Sequence, residues 1–424
     1  MTRAMKDSGI EWIGEIPEDW EVKRLKNILK ERKEKNDPIQ TKEVLSLLKD
    51  RGVIPYSEKG DIGNKAKEDV SKYKLVYQDD IVVNSMNIII GSVGKSNYYG
   101  AVSPVYYVLN TRNKYDINFY NYVLQSSSFQ KSLIGLGNGI LEHRMRIPME
   151  KLNNVNLPIP PLEEQERIAS ILDEKVERID AIIADTKQSI EELKQYKQSL
   201  ITETVTKGLD KNVPMKDSGI EWIGQIPEDW EVVKLKRISQ YMGSGGTPTS
   251  NNDDYYNGNY YWIQSGDLYN NQYIFDTKKK ITKKALSDYT ILKEIKAPFI
   301  CMAMYGASIG NLAISQINSS CNQAVCTIKT DESYSLKFLY YSLLLSQPYL
   351  LLEASGGTQP NINREIIANW KILSPSLLEQ QKIVDFLDNQ TQQIDQLIQD
   401  KEVLIIQYEE YKKSMIYEYV TGKR

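Results

Sequence analysis

Residues 162–208 read LEEQERIASILDEKVERIDAIIADTKQSIEELKQYKQSLITETVTKG, and residues 377–423 read LLEQQKIVDFLDNQTQQIDQLIQDKEVLIIQYEEYKKSMIYEYVTGK. One long segment is written twice. Matched positions include Glu164/Glu379, Gln165/Gln380, Leu172/Leu387, Asp173/Asp388, Asp180/Asp395, Lys197/Lys412 and Val205/Val420. Counting in sevens from Leu172 gives Ile179, Thr186, Leu193 and Leu200, with companions Lys175, Ile182, Ser189, Tyr196 and Glu203. In the second copy the same positions are Leu387, Ile394, Lys401, Tyr408 and Met415, with companions Gln390, Leu397, Leu404, Tyr411 and Glu418. That is a heptad seam with polar interruptions. Two matched seams in one chain predict two helices packed on each other. The expected seam residues are Leu172, Ile179, Ile182, Leu193, Tyr196, Leu200, Leu387, Ile394, Leu397, Leu404, Tyr408, Tyr411 and Met415. Prolines just before Leu162, acids in the first turn, and Gly208 and Gly422 after the last turn bound the helices. About 46 helical residues span roughly 70 Å.

A second repeat precedes each helix. MKDSGIEWIGEIPEDWEVKRLK (5–26) returns as MKDSGIEWIGQIPEDWEVVKLK (215–236), changed only at Glu15/Gln225, Lys23/Val233 and Arg24/Lys234. The chain is therefore a tandem duplication. Between the repeats, residues from Asn27 to about Asn156 show no obvious alignment with Arg237 to Ile372. Both stretches hold short Val/Ile/Tyr runs separated by Gly, Asn and Asp, which predicts a mainly β core. INFYNYVLQSSSFQKSLIG (117–135) and LKFLYYSLLLSQPYLLLEA (336–354) predict a helix late in each. The expected class is α+β: two domains with a mainly β core and helices, separated by two long helices forming an antiparallel coiled coil, in a pseudo-two-fold internal duplication. Expected boundaries are 1–157, 158–209, 210–373 and 374–424. A pseudo-two-fold axis perpendicular to the helices would invert the two domains.

Composition narrows the function classes. Of 424 residues, 41% are apolar and 26% charged, which suits a globular chain of several domains. Three cysteines without a CxxC predict a reduced, cytoplasmic protein. No apolar run reaches membrane-spanning length. A net charge of −3 is unlike an isolated DNA-binding domain. One histidine, His143, excludes any site needing two imidazoles. GSVGKS (91–96) resembles a phosphate loop, but Ile89 holds a position that needs glycine, and strand-like sequence follows. The acids of EDWEVK (18–23) are too close together to surround a metal from separate strands.

The duplicated W-I-G-x-I-P-x-x-W motif, the helix starts PLEEQ (161–165) and SLLEQ (376–380), SPVYYV (103–108) and GTQPNIN (357–363) occur together. On these the chain resembles the specificity subunit of type I restriction–modification systems, over essentially its whole length. The resemblance implies that each variable domain is a target recognition domain reading half of a split, asymmetric sequence in double-stranded DNA. It implies that the helices set the spacer and dock methyltransferase subunits, two being expected, with restriction subunits in the full complex. S-adenosylmethionine, ATP and Mg are then expected on those partners, with no cofactor or metal and no catalytic residue in this chain. The alternative is a non-catalytic coiled-coil adaptor that binds protein partners without DNA.

The resemblance also places DNA-contacting candidates. In the first domain these are Lys59, Asn84, Asn87, Lys95, Ser96, Tyr98, Asn138, His143, Arg144 and Arg146. In the second they are Ser244, Gly245, Thr247, Ser265, Thr358, Gln359, Asn361, Asn363 and Arg364. Arg pairs bidentately with guanine, Asn or Gln pairs with adenine, and Ser or Lys holds phosphate.

Overall fold

The computed structural model describes residues 3–49, 51–60, 65–112, 114–137, 146–269, 271–306, 308–354 and 361–424. The chain forms two compact units, Met1–Gln188 with Lys401–Arg424, and Ser189–Asp400. Both long helices are present, Leu162–Lys207 and Leu377–Val420, and each contributes to both units. Among the described residues no helix is long and apolar enough to cross a membrane.

The repeated frame folds alike in both units. In the first, Met5–Ile10 pairs with Gly14–Pro17, and Glu21–Arg24 pairs antiparallel with Asn156–Ile159. In the second, Met215–Asp217 pairs with Gln225–Pro227, and Glu231–Lys234 with Lys371–Ser374. EDWEVK thus supplies a framework strand. Trp20 and Trp230 are fully buried, each edge-on to a phenylalanine, Phe119 and Phe338, at 6.4 and 6.5 Å. Trp12 and Trp222 are partly buried against the same cores.

Three latches join this frame to the helix starts. Trp20 donates its indole N–H to Glu164 Oε2 at 2.9 Å, and Trp230 to Glu379 Oε2 at 3.0 Å. Gln165 and Gln380 accept the backbone N–H of Asp116 and Ser335 and donate to the carbonyls of Pro160 and Pro375. Tyr122 donates to Asp173 and Tyr341 to Asp388. One latch differs. Arg3 pairs with Glu164 and holds its carboxyl below the usual range, whereas burial pushes Glu379 up. Val213 stands in the second copy where Arg3 stands in the first.

The variable parts agree in the fold more than in the sequence. Unit 1 has a four-stranded sheet in the order Leu29–Glu31, Tyr106–Thr111, Ile81–Asn84, Val93–Lys95. Unit 2 repeats that order as Ser239–Ser244, Val325–Thr330, Phe299–Ala303, Leu312–Ser315, and adds Tyr273–Ile274. The expected late helices follow: Ile117–Gln125 and Ser127–Ser132 in unit 1, and Leu336–Leu352 in unit 2. Asp116 and Ser335 cap the first turns by accepting from the N–H groups of Phe119 and Phe338. The difference lies in the chain between the first two strands. Unit 1 inserts the hairpin Leu45–Leu48/Gly52–Pro55, and unit 2 inserts a sheet built on Tyr256–Ile263.

The helices are antiparallel. In unit 1, Leu172, Ile179 and Ile183 from the beginning of the first helix share a core with Met415, Ile416 and Val420 from the end of the second. In unit 2, Ile201 and Val205 from the end of the first share a core with Ile383, Val384 and Leu387 from the beginning of the second. The ion pairs are reciprocal: Lys412 meets Asp180 at 2.5 Å in unit 1, and Lys197 meets Asp395 at 2.6 Å in unit 2.

The seam itself needs one correction. Leu172, Ile179, Leu387, Ile394 and Met415 are buried, and Leu193, Leu200 and Tyr408 are half-buried, as expected. The companion line shifts by one residue, to Val176, Ile183 and Ile190 in the first helix and Ile398 and Ile405 in the second. Ile182 is only half-buried, and Tyr196, Leu397, Leu404 and Tyr411 are exposed at 55%, 50%, 38% and 47%. A seam alternates steps of three and four residues, so both neighbours of each heptad position satisfy the period. Burial selects one of them: Ile183 and Ile190 are buried where Ile182 and Ser189 are half-buried, and Ile398 and Ile405 are half-buried where Leu397 and Leu404 are exposed. Ile183→Ala should therefore cost about 2–4 kcal/mol and Tyr196→Ala less than about 0.5 kcal/mol. Urea unfolding of the two variants measures this, and equal losses would return the seam to the Tyr196 line.

Candidate functional site

In unit 1 the chain leaves the edge strand Leu29–Glu31 still extended. Successive side chains of an extended chain alternate sides, so Glu31, Lys33 and Lys35 share one. Lys74 opens the strand Lys74–Val76, Lys72 lies in the turn just before it, and Lys35 bridges to Lys74 through the backbone. These five residues, with Pro104, Tyr107, Arg146, Pro148 and Met149, line a cleft of about 620 Å³. Lys74 is neutralised by Glu31 at 3.1 Å and also donates to the carbonyl of Tyr106. Lys33, Lys35, Lys72 and Arg146 are exposed and have no ion-pair partner among the described residues. Several unpaired cations in one concave surface make a site for a polyanion.

Unit 2 carries the equivalent place in a different chemistry. Ile147 N–H donates to the Ser85 carbonyl in unit 1, as Ile362 N–H donates to Met304 in unit 2, so Asn361 stands where Arg146 stands. Tyr106 N–H closes a turn onto Ser103, as Val325 N–H does onto Asn322, so Gln323 stands where Pro104 stands. Around that position lie Tyr241 of the edge strand, Tyr305, which bridges to Asn361, and Gln323, which accepts from Thr247 Oγ1. Arg364 is near enough to Tyr241 to favour its phenolate, but burial is the larger effect and pushes the phenol up. Tyr305 is raised by burial as well, partly offset by its hydrogen bond to Gln323. Gly245 is obligatory here, because a Cβ would lie 1.8 Å from the carbonyl oxygen of Cys321. The face is mostly neutral, built of amide, hydroxyl and phenol groups with one arginine.

The candidates taken from sequence divide accordingly. Arg146 lies in the unit 1 cleft; Gly245, Thr247, Asn361 and Arg364 gather in unit 2. Ser244 ends the edge strand, and Ser265 opens the short turn Ser265–Asp267. Asn363 caps the helix Arg364–Asn369 through the N–H of Ile366. In unit 1, Asn84 accepts from Met86 N–H and Asn87 organises the turn that follows. Lys95 is tied to Asp79 and Asn118, and Lys59 lies over the Tyr56 ring. Ser96 is fully buried, its hydroxyl donating to the Tyr98 carbonyl, so it does not present that group to a ligand. Tyr98 is exposed. GSVGKS itself holds the strand Val93–Lys95, and the strand-like sequence after it forms the strands Gly100–Val102 and Tyr106–Thr111. Asn138, His143, Arg144, Thr358 and Gln359 lie outside the described residues. Sequence reasoning missed Lys33, Lys35, Lys72, Lys74, Tyr241, Tyr305 and Gln323.

Charge is partitioned to match. Residues 27–155 hold 19 Lys/Arg and 14 Asp/Glu, and residues 237–370 hold 11 and 10. The rest of the chain holds 23 and 32. The acidic balance belongs to the frame, and the first variable domain is net basic.

The family model described as type I restriction modification DNA specificity domain matches twice, at residues 17–193 and 227–405. The chain belongs to that family. The MjaVIII type I restriction enzyme specificity subunit of Methanocaldococcus jannaschii is 28% identical, with 96% of this chain and 93% of the relative covered. A chain from a solved structure described as showing complex assembly and conformational transition of the type I R-M system has a TM-score of 0.75 at 16% identity, covering 96% of this chain and 99% of that one. The HsdS subunit of Thermoanaerobacter tengcongensis has a TM-score of 0.57 at 15% identity, over 96% and 98%. This chain is thus a type I specificity subunit with two tandem recognition domains and a role in DNA sequence specificity.

If the unit 1 cleft grips phosphate, its lysines set the salt dependence, because each neutralised phosphate contributes about 0.9 to the slope of log K against log salt. Replacing Lys33, Lys35 and Lys72 by Ala should lower the slope by about 2–3 and weaken target and non-target DNA alike. Titration of the assembled complex at several salt concentrations measures this; an unchanged slope would count against the cleft.

Proposed function

We propose that each recognition domain reads one half of an asymmetric bipartite DNA target through the face described above, while the helix pair fixes the spacer. One observation carries this reading: equivalent positions on matched frames bear different chemistry, cationic in unit 1 and amide- and phenol-rich in unit 2. Identical frames keep the presentation constant, and different side chains make the two half-sites different. Lys33, Lys35 and Lys72 hold phosphates, and Arg146 is placed to read a guanine edge. Asn361 and Gln323 offer the amide geometry that matches adenine, and Arg364 offers a guanidinium.

The chain is non-catalytic in this reading and acts in the cytoplasm. Two methyltransferase subunits dock on it and bring S-adenosylmethionine; restriction subunits bring ATP and Mg. Modification of an adenine in each half-site requires the base to leave the stack, and a rigid reader beside it fixes which base is reached. A net-basic first domain inside an acidic frame favours this reading over an adaptor that binds proteins without DNA.

Replacing residues 27–156 with the corresponding segment of another specificity subunit should change one half of the methylated sequence and leave the other half and the spacer unaltered. Single-molecule sequencing of methylated sites in a host carrying the complete system reads all three. A change in both halves would end the case for independent reading.

A further inference from the structure

Unit 2 also holds a cavity of about 950 Å³, inside the roughly 300–1,000 Å³ range of small-molecule sites. One wall is a run of stacked rings. Trp222 lies on Tyr349 at 4.3 Å and 15°, and Trp370 follows Trp222 at 6.4 Å and 19°. Leu352 lines the same cavity and is 82% exposed. The rim carries three exposed carboxylates, Glu221, Glu353 and Glu365, against one cation, Lys371. None of the three is in an ion pair among the described residues.

Unpaired carboxylates repel phosphate and attract cations. They do not close on one point, because among the described residues no group of three or more His, Cys, Asp or Glu could hold a metal ion. A compact divalent ion therefore finds no cage of carboxylates here. Electron-rich ring faces favour an organic cation instead, more strongly as it is desolvated. The exposed leucine adds a demand for apolar contact, because an apolar surface left facing water marks an interaction site. A linear polyamine meets all of these conditions. Its charges are spread along a chain, to match carboxylates spread around a rim, and the methylenes between them lie on the apolar wall.

The two units separate the wall from the charges. Ile220-Glu221-Trp222 belongs to the repeat and has its twin in Ile10-Glu11-Trp12. Asn369 donates to the Glu365 carbonyl as Asn154 does to the Glu150 carbonyl, so Glu150 stands where Glu365 stands. The backbone carbonyl that accepts from Leu235 belongs to Trp370, and its counterpart, accepting from Leu25, belongs to Val155. Trp12 packs edge-on against Phe129 at 5.8 Å and 75°. Unit 1 thus keeps the exposed carboxylates Glu11 and Glu150 but lacks the third ring of the stack.

We propose that the unit 2 cavity binds one linear polyamine per chain, its ammonium groups on Glu221, Glu353 and Glu365 and its methylene stem on the ring wall. The test titrates the full chain with spermidine at low salt, by calorimetry and by tryptophan fluorescence. One saturable site per chain is expected, with a change in fluorescence because two of the wall's rings are indoles. The triple variant Glu221→Gln, Glu353→Gln, Glu365→Gln should bind about tenfold or more weakly, with urea unfolding unchanged because all three side chains are exposed. Trp222→Ala should lose about as much, and n-butylamine, with one charge, should bind the wild-type chain about tenfold or more weakly than spermidine. Absence of saturable binding would overturn the proposal. So would wild-type affinity in the triple variant, which decides the question if Trp222→Ala fails to fold. Two spermidines per chain, or Mg²⁺ filling the same site as tightly, would show that carboxylates suffice without the wall, and either result would overturn it. Oligolysine bound where spermidine is not would make the cavity a site for a protein segment and would overturn it as well.

Discussion

Each unit completes its hydrophobic core with the beginning of one long helix and the end of the other. Leu172 and Val420 lie in one core, and Val205 and Leu387 lie in its counterpart. Neither recognition domain is therefore closed by the stretch of chain that contains it. Antiparallel pairing is what lets a tandem duplication bury both sets of helix ends, and the reciprocal pairs Lys412–Asp180 and Lys197–Asp395 fix the same register twice. The latches from Trp20, Trp230, Gln165 and Gln380 then tie each sheet to its helix start.

That division explains where the chain tolerates change. Residues that touch the helix starts recur almost unaltered, whereas the segment between the first two sheet strands differs in length, strand content and charge. The sheet order survives because its buried side chains need only be apolar and of fitting size. The surface beside it is free to vary, and there a lysine-lined cleft stands in one unit and a tyrosine-amide face in the other. The latches are not fully equivalent. Glu164 has its arginine, so its contribution to stability is present near neutrality and is lost as pH falls through its lowered pKa. Glu379 lacks that partner, and its raised pKa makes the opposite contribution, present in acid and lost as pH rises.

Much of the architecture was legible in the sequence because repetition is a strong signal. The two helices and their glycine ends at Gly208 and Gly422 followed from matched motifs. The companion seam line did not, because three-four and four-three spacing share one period; only the polar Ser189 beside the apolar Ile190 and the charged Lys175 beside Val176 distinguish the two lines in the sequence. The correspondence between the variable sheets was hidden, since strand order leaves little trace in side-chain identity. The unit 1 cleft had a readable signal in KERKEK (30–35), whose charged side chains take alternate sides of the chain. Ser96, in a glycine-containing loop motif, instead clasps a turn from inside. Tyr305 and Gln323 had no local signal, because only the fold brings them beside Asn361.

The central claim is that paired helices act as a ruler between two unlike readers. Inserting seven residues after Gln188 and seven after Asp400 preserves the heptad period and lengthens the pair by about 10 Å, close to three base pairs. Sequencing the sites methylated by the complete system carrying this chain should show both half-sites unchanged and the gap between them longer by about three base pairs. Methylation at the original spacing would contradict the ruler.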